Sequence, residues 1–303
     1  MSAGCPLCNT ENNTIVYDQP QLAGARIVKC DQCTHVYTLQ SYPVAPEELY
    51  ATDVYKVVEN RHSFFDKILN WEYGGVVKTI NRLKPLKGFL LDFGCGKGKF
   101  GSLAKKTGWQ VKCVETAPER ALYAKDIYGL EVDTRFYSTG KIFNNDFDVL
   151  TLFHVLEHLP APKTSLKELI EHNLKKDALI VIEVPNINSW QSGIAGNKWM
   201  HLDVPRHFHH FTSSNLEKFA MDLKLRTIKS SSFSFHLGVL GMVDSFLKLS
   251  GYKKNILYEL KNRKNIYIMA SVSILLPFAF ILEAFAAAIG RGGILRKYFI
   301  ADH

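Results

Sequence analysis

The stretch Phe89-Leu90-Leu91-Asp92-Phe93-Gly94-Cys95-Gly96-Lys97-Gly98 decides the fold. An apolar run closes on an acid, and three glycines follow at alternate positions. This is the pattern of a buried strand turning sharply into a helix. A second register, Gly96-Lys97-Gly98-Lys99-Phe100-Gly101, also fits the G-x-G-x-x-G fingerprint of dinucleotide sites. Electrostatics separates the two. A dinucleotide brings an anionic pyrophosphate, which Asp92 would repel. S-adenosylmethionine brings an ammonium and a sulfonium, which Asp92 would favour. The end of the strand before Gly94 also favours the G-x-G-x-G register.

Outward from this loop, short apolar runs alternate with helix-period segments. The runs are FLLDF (89–93), QVKCVE (110–115), FDVLTLF (147–153), ALIVIEVP (178–185) and RTIKSSSFSF (226–235), with a last one over 294–301. Helices are expected at about 98–107, 118–127, 161–174 and 213–223. Strand-helix alternation of this kind reads as a doubly wound α/β sheet. Glu115 ends the second run, 21 residues after Gly94. That is where such folds place a carboxylate that accepts both ribose hydroxyl protons.

LLDFGCGKGKF, VKCVE, FDVLTLFHVLEHLPAP and ALIVIEVPN together resemble the class I S-adenosylmethionine-dependent methyltransferases over about residues 85–235. The pattern looks closest to bacterial members found among surface-glycan genes. More distantly it is similar to the ubiquinone-pathway O-methyltransferases. The resemblance implies a Rossmann-like, seven-stranded sheet with its last strand antiparallel. It implies that Asp92, Gly94, Gly96 and Gly98 cradle the methionine part of the cofactor and that Glu115 holds the ribose. Phe153, at the end of the third run, joins that cofactor set. The family often has an acidic adenine-binding residue after the third strand, where this chain reads Asp133-Thr134-Arg135-Phe136-Tyr137-Ser138.

Two histidine clusters follow strands, where the ligand crevice of an open α/β sheet lies. The first is His154-Val155-Leu156-Glu157-His158. Methyl transfer needs an aligned acceptor and removal of one proton, and a histidine suits that near neutral pH. The ubiquinone-pathway relatives carry a Glu-x-x-Glu-His metal cluster here, and this chain has His154 where their first Glu stands. The second cluster runs from Trp199 to Thr212 with His201, Arg206, His207, His209 and His210. Residues 186–212 are long for a plain connector and read as a lid on the acceptor side. His154, His158 and His207 are the candidate proton acceptors.

Cys5-x-x-Cys8 and Cys30-x-x-Cys33 are two knuckles with 21 residues between them. Each tight loop turns two thiolates inward, and four thiolates suit one tetrahedral ion. Cys5, Cys8, Cys30 and Cys33 are therefore expected to hold a structural Zn²⁺, which replaces a core that so few residues cannot build, with an iron site or a redox dithiol as the alternatives. The start of the chain has no basic n-region or apolar h-region, so a reducing cytosol is expected. Six cysteines in 303 residues are too few for a disulfide scaffold. With 47% hydrophobic and 22% charged residues, the chain can bury a core and is not disordered.

The charge excess, 37 Lys and Arg against 29 Asp and Glu, is uneven. Residues 236–303 hold nine basic residues against four acidic ones, beside seventeen uncharged residues from Ile266 to Leu282. That points to an anionic membrane surface rather than to nucleic acid. A simple span is disfavoured, because the strands on either side of this segment should pair, and Pro277 and Glu283 lie within it. An interfacial helix, a re-entrant hairpin and buried helices stay open. Lys248, Lys253, Lys254, Lys261, Arg263 and Lys264 would match anionic headgroups.

The expected organisation is a zinc ribbon over 1–45, a helical lead-in over 46–87 beginning near Pro46, a methyltransferase domain over 88–235 with 294–303, and a hydrophobic helical insertion over 236–293. The expected function is methyl transfer from S-adenosylmethionine to a small polar or lipid-linked acceptor, such as a glycolipid. The expected location is the cytoplasm, at the cytoplasmic face of the membrane. The alternatives are a nicotinamide-dependent oxidoreductase and a non-catalytic zinc-ribbon binding module.

Overall fold

The computed structural model describes residues 4–19, 24–40, 64–137, 139–253, 256, 260 and 266–301. The beginning of the expected lead-in, with Pro46, lies outside them, as do Lys254, Lys261, Arg263 and Lys264.

Seven strands form one sheet: β4 (Phe89–Phe93), β5 (Gln110–Val114), β6 (Glu131–Asp133), β7 (Phe147–Phe153), β8 (Leu174–Pro185), β10 (Leu225–Ser231) and β11 (Ile294–Ala301). Their order across the sheet is β10-β11-β8-β7-β4-β5-β6. β4 to β8 are parallel, and the last strand is antiparallel. The central strands are buried on both faces, which explains their unbroken apolar runs: every residue of β8 from Ala178 to Pro185 is buried. The chain reverses from β7 through β4 to β5 at the centre of the sheet, the place where open α/β sheets bind ligands.

Local chemistry sets the helix ends. Gly98, at φ 78°, leads into the helix Lys99–Lys106. The helix Pro118–Tyr128 has proline in its first turn and a left-handed Gly129 at its end, a common asymmetry. The helix Pro162–Asn173 also begins on proline. Helix Phe64–Leu83, the described part of the lead-in, buries Val76, Val77 and Ile80 in a core that includes Leu90, Val149, Leu179 and Tyr298.

A second sheet has four strands: β1 (Asn13–Gln19), β2 (Ala25–Cys30), β3 (Val36–Leu39) and β9 (His209–His210). The expectation of a lid over 186–212 meets a different local structure. That stretch holds the helix Trp190–Ala195, a helical turn at Gly196–Lys198 and β9. β9 pairs antiparallel with β3, placing His210 opposite Val36 and His209 opposite Tyr37. Gln40 donates to the Pro205 carbonyl, and Asn215 donates to the Cys33 carbonyl.

The chain divides into two compact units. One holds the described residues of 1–49 with 184–216 and 231–295, and the other holds those of 50–183 with 217–230 and 296–303. The first unit includes the hydrophobic helices Leu240–Leu249 and Ile266–Ala288, the latter running through Pro277.

Candidate active site

Asp92 is buried at the end of β4, between β5 and β7. Its Oδ1 accepts a 2.8 Å hydrogen bond from the Thr151 hydroxyl and the Gly101 amide lies near the carboxyl, while Oδ2 is buried with no aligned hydrogen bond. Burial pushes its carboxyl up to about 7. The Thr151 bond opposes the shift and the Glu115 charge adds to it. An unpartnered buried oxygen is costly, and a cationic ligand would satisfy it.

The three glycines after Asp92 do different work. Gly94 and Gly98 have φ of 77° and 78°, and a Cβ on either would overlap a neighbour: Val155 for Gly94, Leu130 and Ala124 for Gly98. Gly96, at φ 55°, has nothing within 4 Å of where its Cβ would be. Two positions thus need glycine for packing and the middle one leaves open space. The loop is tied to β5, since the Gly94 and Cys95 amides both donate to the Val114 carbonyl.

Glu115 follows β5 and is 8% exposed. Its Oε2 accepts from the Gly96 amide and its Oε1 from the Ala117 amide, both at 2.8 Å. Each carboxylate oxygen has a second lone pair, so these bonds aim the group and leave it able to accept hydroxyl protons. The Phe153 ring packs against Phe100, 4.7 Å between centroids, and Tyr73 at 5.7 Å. After β6, Asp133 is bound by Arg135 through two nitrogens. The unpartnered Asp92 oxygen, the open Gly96 and the aimed Glu115 fit S-adenosylmethionine.

His154 follows β7 with φ 56°, a conformation uncommon outside glycine. Its Nε2 lies 3.0 Å from Glu183 Oε1, and its Nδ1 lies 3.3 Å from Glu157 Oε1. Glu183 is bound in turn by Arg296, which also donates to Glu72 at 3.0 Å. The result is a buried chain of alternating charge, Glu72, Arg296, Glu183, His154, Glu157, drawn from a helix, three strand ends and a turn. Burial favours a neutral ring at His154, but the two carboxylates override it and hold its pKa up to about 10. Burial likewise opposes charge on Glu183, and Arg296 with His154 holds it down to about 2. His154 is therefore an imidazolium at neutral pH, with no lone pair to accept a proton. Glu157, fully buried, makes that ion-pair contact with no aligned hydrogen bond to either oxygen.

His158 is half-buried in the turn Leu156–His158. His207 belongs to the other unit. Its Nδ1 lies 2.9 Å from the His201 carbonyl, which can only accept, so Nδ1 carries a proton, and its Nε2 lies 3.7 Å from Asp203 Oδ2. Around it is a neutral histidine cluster. His35 Nε2 lies 3.0 Å from His209 Nδ1, and His210 Nε2 lies 3.0 Å from the Thr38 hydroxyl. Burial, with His209 nearby, pushes His210 down to about 3.

One ligand sulfur or nitrogen per residue, Cys5, Cys8, Cys30 and Cys33 bring four sulfurs within 4.8 Å of one another. Cys5 to Cys33 and Cys8 to Cys30 are each 3.5 Å. Sulfurs bound to one tetrahedral Zn²⁺ at about 2.3 Å would be about 3.8 Å apart, so the donor set fits the ion. Cys113 is buried in the core of the other unit, and Cys95 packs against that core.

Sequence reasoning missed Thr151, Glu72, Glu183 and Arg296. Only Glu183 had a signal, because an acid inside the buried run 178–185 needs a partner.

Residues 68–228 match the family model described as a methyltransferase domain. This is more than half of the chain, which therefore belongs to that methyltransferase family. The chain is 26% identical over 162 residues to the ubiquinone biosynthesis O-methyltransferase of Xanthomonas oryzae pv. oryzae, covering 46% of this chain and 67% of that protein. The enzyme of the same name from Idiomarina loihiensis is 27% identical over 161 residues, with 46% and 65% covered. A solved structure of the plantazolicin methyltransferase BpumL with a monoazolic desmethylPZN analog and SAH has a TM-score of 0.51 at 14% identity, covering 85% of this chain and 91% of that one. That likeness bears on the fold. The chain is a class I S-adenosylmethionine-dependent methyltransferase.

Proposed function

We propose that the enzyme methylates a hydroxyl oxygen of a small polar or lipid-linked acceptor, a glycolipid being one such class. The observation that carries the cofactor side of this reading is the buried, unpartnered oxygen of Asp92 beside the open Gly96. The acceptor side draws on the O-methyltransferase names of the two relatives and on the exposed apolar helix Ile266–Ala288. This organisation keeps the ribbon at 1–45, the lead-in at 46–87, the catalytic domain at 88–235 with 294–303, and the insertion at 236–293. Peripheral contact of the insertion with the cytoplasmic face of the membrane belongs to the same reading.

When bound, S-adenosylmethionine supplies a methyl carbon on a cationic sulfur that departs as a neutral thioether. Asp92 would receive the ammonium of the amino-acid end, Gly94 and Gly98 hold the loop's shape, and Gly96 leaves room for the ligand. Glu115 accepts the ribose hydroxyls, and Phe153 holds the end of β7 through its ring contacts. His154, already protonated, keeps Glu157 and Glu183 in place. His158 and His207 are the imidazoles suited to take the acceptor's proton. Cys5, Cys8, Cys30 and Cys33 hold a structural zinc ion.

Calorimetric titration with S-adenosylhomocysteine tests the cofactor site. Loss of one charged interaction in Asp92→Ala should weaken affinity by about tenfold or more. Unchanged affinity would sink the Asp92 assignment. A screen of hydroxylated lipids and sugars with a labelled methyl donor then tests the acceptor class. Labelling confined to nitrogen acceptors would refute O-methylation.

A further inference from the structure

The helix Ile266–Ala288 has two faces that composition alone does not distinguish, since both are apolar. Val272, Ala279, Glu283 and Ala286 are buried, at spacings of seven, four and three. Tyr267, Ile274, Phe278, Ile281 and Phe285 are 81%, 68%, 63%, 65% and 59% exposed, at spacings of seven, four, three and four. These are two separate helical stripes. A core helix of a soluble protein would have both covered, and an uncovered apolar stripe of this length marks an interaction surface.

A polar knot fixes which stripe faces inward. Glu283, fully buried, accepts a 2.7 Å hydrogen bond from the Gly293 amide. Gly238 presses so close that a Cβ there would overlap Glu283 Oε1. Gly293 and Gly241 crowd the Gln191 amide in the same way. Turning the helix about its axis would place a carboxylate in the exposed stripe and break these bonds. The inner stripe packs on the helices Phe235–Val239 and Leu240–Leu249 of the same unit.

We propose that this helix lies in the plane of an anionic lipid surface, with its Tyr267, Ile274, Phe278, Ile281 and Phe285 stripe sunk among the acyl chains. The helix is about 34 Å long at 1.5 Å per residue, long enough to cross a bilayer. Its flanking strands argue against crossing, because β10 and β11 are neighbours in one sheet and the chain must return to the side it left. Charge selects the occupant. Lys253, Lys254, Lys261, Arg263 and Lys264 precede the helix in sequence, and Arg291 follows it. A second copy of this chain would bring basic flanks against basic flanks in either helix orientation. Anionic headgroups complement them at both ends. This deepens the membrane-peripheral reading above and is independent of the cofactor site.

The test places a small fluorescent amino acid at Tyr267, Phe278 or Phe285 in turn, in the full chain, with vesicles of phosphatidylcholine and phosphatidylglycerol. The lipids are brominated at shallow or deep chain positions. An in-plane helix gives equal quenching at the three sites, stronger from the shallow bromines. Quenching that moves from shallow to deep bromines along the helix overturns the proposal in favour of an inserted or spanning helix. No quenching, with a dimer in solution, overturns it in favour of a second copy. Phe278→Glu combined with Ile281→Glu changes only exposed positions, and should lower vesicle affinity by about tenfold or more. S-adenosylhomocysteine binding should be unchanged in that variant. Full vesicle affinity in it also overturns the proposal, whereas absent S-adenosylhomocysteine binding by the parent chain would fault the cofactor reading alone.

Discussion

Two histidine-rich stretches of this chain are treated in opposite ways. His154 lies between Glu157 and Glu183 and is held up to about 10. His210, on β9, meets the Thr38 hydroxyl and other imidazoles and is pushed down to about 3. His210 is buried and His154 partly so, and burial alone would favour the neutral form of each. Carboxylates supply the difference. A histidine after a strand of an α/β sheet is therefore a poor guide to a general base until its neighbours are known. In this enzyme one cluster is a cationic brace and the other a neutral seam.

Removing metal should change the neutral seam most. β9 lies on β3, and β3 follows the second cysteine knuckle. A structural tetrathiolate zinc site carries about 10–16 kcal/mol of apparent binding free energy, most of it folding energy. Metal analysis of protein purified without added metal should find one zinc per chain. A strong chelator should then strip hydrogen-exchange protection from β1, β2, β3 and β9. The His210 titration should rise from about 3 toward its ordinary 6.5. Protection that survives chelation would show that the thiols do not hold the ribbon.

The cationic brace breaks at Arg296. Arg296→Met takes the guanidinium away from buried Glu72 and Glu183, and Glu183 keeps His154. Removing one partner of a buried ion pair costs about 3–5 kcal/mol, which should lower the unfolding free energy by that amount and the denaturant midpoint with it. Adding Glu72→Gln should restore part of the loss, since Glu183 keeps its contact with His154 while the charge on Glu72 goes with the substitution. Equal instability of the single and double variants would mean that packing, not charge, is what Arg296 provides.

These two sites differ in how far their residues announced them. The runs at 89–93 and 147–153 became β4 and β7 over the same residues, because parallel strands buried on both faces need unbroken apolar sequence. The glycine loop was legible because its backbone demands are local. The brace was only half legible. Glu183 carried a signal that went unread, an acid in a buried run, but Glu72 lies on a helix with ordinary charge patterning, and its partner is more than two hundred positions away. β9 had no signal of its own. Two histidines form a strand only because a sheet edge receives them, and that pairing joins residues 36–37 to 209–210. The two stripes of Ile266–Ala288 were hidden for another reason: periodicity detects contrast between polar and apolar positions, and here both faces are apolar.

The opposite shifts also predict opposite pH limbs. His154 has its folded pKa raised from 6.5 to about 10. Its contribution is complete below about 6.5 and is lost as pH rises through about 10. His210 has its folded pKa lowered from 6.5 to about 3. Its contribution is complete above about 6.5 and is lost as pH falls toward about 3. Stability should thus decline on both sides of neutrality. His154→Gln should flatten the alkaline limb between about 6.5 and 10 and leave the acid limb in place. An unchanged alkaline limb would show that His154 is not the group holding that proton.

The smallest effect should come from Thr38→Val. The Thr38 hydroxyl has one proton, and the 2.6 Å contact with the His207 carbonyl requires it, because a carbonyl can only accept. Thr38 therefore accepts from His210, which fixes the His210 proton on Nε2. Valine keeps the shape and removes both bonds, leaving the buried His210 N–H without an acceptor. The cost should be about 1–3 kcal/mol, expressed mainly in the unit that holds the ribbon. The His154 alkaline limb should not move, since no member of the charge chain is touched. Nitrogen chemical shifts of the His210 ring give the direct check. They should report a proton on Nε2 in the parent chain and a change of tautomer or exchange in the variant. A parent ring protonated on Nδ1 alone would reverse the donor assignment and remove the reason for the expected loss.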